Sequence, residues 1–346
     1  MKFNYSFVSI LACTIFAFFI ACSDEDNPVL NITHPAAFVV NGLGNTISVI
    51  DLNDDTKVYD ISLNGAKYPH HIYLNSDKSK FAVAITGTDL SGGHTGHGGG
   101  STGGYKVQIF NSITGVIEKE IALTKLPHNA VFSPNGSELW IPQSDTPSHV
   151  FIYSTTDWKK LKEITVGHLT SEVTFSADGS KVYSANTDEA SVSIIDPITK
   201  TVVTTVSVGT TPVGAWPASN GKMYVDNEIS KTVSEIDVAT NLVTATINLG
   251  FKPGYVAYNE LHAELWVSDA DNGKVVYYKL VAGVWTKNGE IFTGSDAHAI
   301  VFNTDESKAY VTNQGAGNVS VIDLNTHTKI KDILVGSKPN GLVLKQ

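Results

Sequence analysis

One feature constrains this chain more than any other: it repeats. A short apolar run with a central or leading aromatic recurs at Trp140, Tyr183, Tyr224, Trp266 and Tyr310, at intervals of 41 to 44 residues. Residues 38–41 and 81–85 are two more runs of the same kind, making seven. After each run comes a strand ending in Ile-Asp or a relative, as at Asp51, Asp196, Asp237 and Asp323. An alternating strand follows, often ending in Val-Gly, and a short strand closes the unit. No apolar pattern at helical spacing is sustained beyond the N-terminus, so the class is all-β. Four short strands every 40 residues or so is the period of a propeller blade, and such blades bury their faces only on one another. The expected fold is a seven-bladed β-propeller over residues 36–346. The first unit lacks an inner strand and residues 338–345 supply one, so both chain ends close the ring and no sheet edge is left open.

The run Tyr310-Val-Thr-Asn313 resembles the motif for which the YVTN-type β-propeller family is named. The resemblance covers about nine-tenths of the chain. It implies the fold and leaves the function open, since one fold hosts many functions.

The first 35 residues stand apart. Lys2 precedes an apolar stretch from Phe7 to Ala21, and small residues lead to Cys22. This is the layout of a secretory signal, too short for a permanent membrane span. It resembles the bacterial lipoprotein signal, which implies removal of residues 1–21 and acylation of Cys22. Residues 22–35 then form an acidic linker. Its run at 23–26 resembles the surface-export signals of some Gram-negative lipoproteins. The expected location is the bacterial cell envelope, lipid-anchored at the outer membrane and exposed at the surface.

Composition excludes several functions. The formal charge is −10 and no arginine is present. Without its bidentate fork, nucleic acid or a phosphorylated substrate is not the expected partner. Both cysteines, Cys13 and Cys22, precede the repeats. The folded part therefore has no disulfide, thiolate ligand or cysteine nucleophile. No Gly-x-Ser-x-Gly elbow appears.

What remains is a set of histidines. Inner strands of a propeller begin at the mouth of the central channel. Aligning the units puts Asn340, His70, His128, Ser171, Val213, Gly254 and His298 at that position. His71 and Glu172 each follow a member of this collar, and His168 precedes one. The one large insertion, 89–105, is glycine-rich, carries His94 and His97, and joins two strands on the collar face. Asp226, Asp269 and Asp271 are expected in connections on that face, as turn residues. Neutral imidazoles gathered in one place suit copper or zinc. The metal candidates are His70, His71, His128, His298, His94 and His97, and the ligand-binding candidates are Asn340, Glu172 and His168. A binding role is expected, with a small molecule or protein engaged at the mouth. Two alternatives stay open: a metal-dependent hydrolase or oxidoreductase using the same collar, and a scaffold or adhesion propeller with no small-molecule site.

Overall fold

The computed structural model describes Met1, residues 30–91 and residues 104–346. The signal region, Cys22, His94 and His97 lie outside the described residues. Among those described, 28 strands form seven four-stranded antiparallel sheets. Six sheets are continuous in sequence. The seventh has the order β28-β1-β2-β3, so the C-terminal strand β28 (Pro339–Lys345) is the inner strand of blade 1, pairing with β1 (Ala36–Asn41). The closure expected from sequence is what the sheet shows.

Three recurring side-chain devices explain the repeat. The aromatics of the second strands, Trp140, Tyr183, Tyr224, Trp266 and Tyr310, are buried between blades. Truncating one to alanine is expected to cost about 3–5 kcal/mol. An asparagine ends four of the seven second strands and ties its sheet together: the amides of Asn41, Asn186, Asn227 and Asn313 donate to Ser48, Ser193, Ser234 and Ser320 at 2.9–3.0 Å. The Ile-Asp aspartates cap the next hairpin. Asp196 accepts from the Ile198 amide at 2.7 Å and Asp323 from the Asn325 amide at 2.9 Å, the side-chain turn that aspartate favours. Lys200 and His327 then take the left-handed backbone that closes each hairpin (φ 55° and 53°).

The inner strands carry the feature that builds the mouth. In blade 2, Pro69 of β4 (Pro69–Leu74) pairs with Ile85 and Ile72 pairs with Val83. His70 and His71 therefore oppose a single residue, a β-bulge that re-aims the strand. The same shift sets off Ser171 and Glu172 in β12 (Thr170–Phe175). It sets off Val213 and Gly214 in β16 (Pro212–Pro217), Gly254 and Tyr255 in β20 (Pro253–Asn259), and His298 and Ala299 in β24 (Ala297–Phe302). Each bulge thus brings two adjacent residues to the channel mouth, a collar and a row just beneath it. In blade 3 the inner strand β8 shrinks to Val131–Phe132, and His128 lies just before it. There Asn129 replaces the missing ladder by bonding the backbone of Val173 in the next blade, accepting its N–H at 3.2 Å and donating to its C=O at 2.9 Å.

Candidate functional site

Four of the expected residues meet. His70 and His71 from blade 2, His128 from blade 3 and Glu172 from blade 4 are all buried, with at most 4% of each exposed. The His70 ring lies 4.3 Å from that of His71 and 4.1 Å from that of His128. One ligating nitrogen from each of the three histidines lies within 4.8 Å of the others. The Glu172 carboxylate bridges two of them: its Oε1 is 2.9 Å from His71 Nε2 and 3.3 Å from His128 Nδ1. The bulges cause this convergence, since a regular strand would turn His71 and Glu172 away from the channel.

Aromatic and polar groups complete the wall. The Tyr73 hydroxyl lies 3.4 Å from the second oxygen of Glu172. Burial, and then the negative charge of Glu172, hold the Tyr73 phenol well above its ordinary range, and burial and Glu172 act on Tyr255 in the same direction. Both stay protonated at neutral pH, so each can donate a hydrogen bond to a carboxylate there. Trp216 packs on Tyr255 with centroids 3.8 Å apart and donates its indole N–H to Asp226 at 2.7 Å.

His298 faces the cluster from blade 7, its ring stacked 5.9 Å from His71. Its Nδ1 sits 2.9 Å from the carbonyl of Asn340. A backbone carbonyl can only accept, so Nδ1 carries the proton in the neutral ring. Asn340 itself knits blades together, with its amide donating to the Pro69 carbonyl at 3.2 Å and its side-chain oxygen accepting from the Gly341 amide. It positions His298 and blade 2 instead of offering its own side chain.

The remaining candidates fall elsewhere. His168 lies at the surface, 3.4 Å from Glu189, because it sits in the connection before the bulged strand. Asp226 is not a turn residue: it lies within strand β17 (Lys222–Asn227), buried, and also accepts the Gly214 amide. Asp269 ends strand β21 (Glu264–Asp269) and caps the following turn by accepting from Asn272 at 2.9 Å. Sequence reasoning missed Tyr73, Trp216 and Tyr255. The signal for Tyr255 was available: it follows a collar residue just as His71 and Glu172 do.

Comparison with known proteins agrees with this architecture. Residues 141–292 match the Choice-of-anchor I domain. No curated protein matches the sequence. Among solved structures, the periplasmic gluconolactonase of Pseudomonas aeruginosa superposes with a TM-score of 0.72 at 15% identity, over 90% of this chain and 99% of that one. A putative 6-phosphogluconolactonase of Bacteroides fragilis gives 0.72 at 14% identity, over 91% and 99%. A functionally unknown protein from Desulfotomaculum acetoxidans gives 0.72 at 11% identity, over 89% and 98%. The chain has their fold. At such identities the likeness speaks for the propeller ring and for nothing finer.

Proposed function

We propose that this protein is an envelope-anchored propeller that binds one transition-metal ion, copper or zinc, at the channel mouth through His70, His71, His128 and Glu172. The observation that carries the reading is the bridging of two buried imidazoles by a buried carboxylate, with a third imidazole in reach. Ligands about 2.0–2.2 Å from a tetrahedral zinc stand roughly 3.4 Å from one another. Glu172 already meets that spacing with two histidines, and small side-chain shifts bring in the third. The electrostatics point the same way. A buried carboxylate is costly without positive charge, and among the described residues no lysine contacts Glu172. A divalent cation supplies that charge. The Tyr73 hydroxyl beside Glu172 is a supporting contact of the kind that orients metal ligands.

Elemental analysis of the full chain, purified in detergent without a metal-binding tag, tests this. About one equivalent of copper or zinc is expected, and a His70/His128 double alanine variant should lose it. A wild-type protein that holds no metal after loading and desalting overturns the reading.

The envelope location rests on the lipoprotein-like sequence ending at Cys22 and is supported by the Choice-of-anchor similarity. Cells fed labelled palmitate should label the wild type and leave Cys22→Ala unlabelled. Equal labelling, or none in either, removes the anchor.

A further inference from the structure

The chain enters the ring on the face opposite the histidine mouth. Asn340 stands at the mouth end of β28, and the register pairs the other end, Lys345, with Ala36 at the start of β1. Five residues of strand, about 17 Å, separate the two ends. Residues 30–35 stay at the far end. Lys345 Nζ donates to the Ile32 carbonyl at 2.8 Å, and the Ile32 amide donates to the Ile113 carbonyl at 2.8 Å. Ile113 belongs to the hairpin between β6 (Lys106–Asn111) and β7 (Ile117–Ala122) of blade 2. Leu30 packs against a core that includes Ile61. Gly115 makes its seat: a Cβ there would come within 3.0 Å of Leu30 and 3.1 Å of Ile61. Cys22 precedes Leu30 by eight residues, so even a fully extended chain holds Leu30 within about 29 Å of a lipid attached there.

The surface at this entry point suits a lipid headgroup layer. Leu30, Tyr59, Ile61, Val116 and Ile117 line a groove between β3 (Thr56–Ser62) of blade 1 and the blade 2 hairpin. Tyr59 and Val116 stand out from it, 43% and 56% exposed. The one charged side chain in its wall, Asp60, is already held by Lys57 and Ser48, at 2.5 and 2.7 Å. A tyrosine beside exposed aliphatic groups is a composition that settles at a membrane–water interface. Alone, so small a patch would hold nothing. A short tether raises its local concentration at the bilayer so far that a weak contact is populated. We infer that the anchored ring rests on a phospholipid surface through this groove, so that the histidine mouth opens away from the bilayer. This orientation rests on the acyl anchor at Cys22 and is independent of the metal.

The acylated chain, purified from membranes in detergent and reconstituted into phosphatidylcholine vesicles with brominated acyl chains, gives the test. Mass spectrometry first establishes the lipid on Cys22, which leaves an introduced cysteine as the free thiol. A fluorophore is attached in Tyr59→Cys or Val116→Cys, in the groove, and in Ile229→Cys, in the connection after β17 on the mouth face, where Ile229 is exposed. Two groove positions are used so that either decides if the other variant fails to fold. Brominated lipid should quench the groove labels about twofold or more and leave the label at position 229 unchanged. Quenching at 229 equal to that in the groove overturns the orientation. So do unquenched groove labels, whether residues 23–29 or a second copy of the chain cover the groove instead. A chain that carries no lipid on Cys22 overturns the anchor and the orientation with it, whereas an acylated chain with unquenched groove labels overturns the orientation alone.

Discussion

The two most deeply buried glutamates among the described residues, Glu172 at 1% exposure and Glu264 at 0%, have different surroundings. Glu264, in the sixth blade, has its needs met by ordinary means. Its Oε2 accepts from the Trp266 indole at 3.0 Å and lies 2.8 Å from His327 Nε2, and its Oε1 is 3.3 Å from Lys279. His327 is itself stacked on Tyr277, with centroids 4.5 Å apart. The site is made almost entirely within two neighbouring blades, has a permanent cation, and serves packing. Glu172 faces two imidazoles and a phenol drawn from two other blades, with no lysine in contact among the described residues. Burial is the same in both. What separates a structural carboxylate from a candidate ligand is where its counter-charge comes from.

The largest test of that difference concerns metal. If Glu172 uses a bound cation, chelation should lower the melting temperature of the wild type. Metal present at a hundred times its dissociation constant stabilises by about 2.7 kcal/mol. Glu172→Gln should abolish the chelator effect, while Glu264→Gln should keep it in full. A chelator shift that survives in Glu172→Gln would make the two carboxylates equivalent and end the distinction.

A smaller effect is expected at Glu264. Burial pushes its carboxyl up, but the hydrogen bonds from His327, Trp266 and Lys279 and the charge of His327 outweigh burial and hold it below the usual range. Its folded value is thus lower than its unfolded one. Its contribution is present in full above the ordinary glutamate range, near pH 4.3, and is lost as pH falls through the lower folded value. Glu264→Gln should cost about 2 kcal/mol at neutral pH and flatten the acid side of the stability profile, measured by urea unfolding across pH. An unchanged acid slope would place that titration elsewhere.

Much of the molecule was legible from residues alone. The seven units, the closing strand and the inter-blade aromatics follow from a period that only one arrangement satisfies, because each blade must bury its faces on its neighbours. The collar was legible too, since aligned strand starts share one depth in the ring. His70, His128 and His298 stood in it, and His71 and Glu172 were picked out as the residues next in line. The alignment misled at His168, where proximity in sequence to a collar strand did not carry the side chain past the connection to Glu189. It also misled at Asp226, which belongs to a strand and serves Trp216.

The chain's own order of residues therefore determined the blade count, the closure and the circle on which the histidines stand, because those depend on local period and on burial. Only the tertiary structure decided that His71 and Glu172 point inward together. That depends on one extra residue in each inner strand, which turns adjacent side chains toward the channel where strict alternation would have separated them. It also decided that Glu172 reaches across to blades 2 and 3, a meeting of residues about 100 and 44 positions apart that no local pattern encodes.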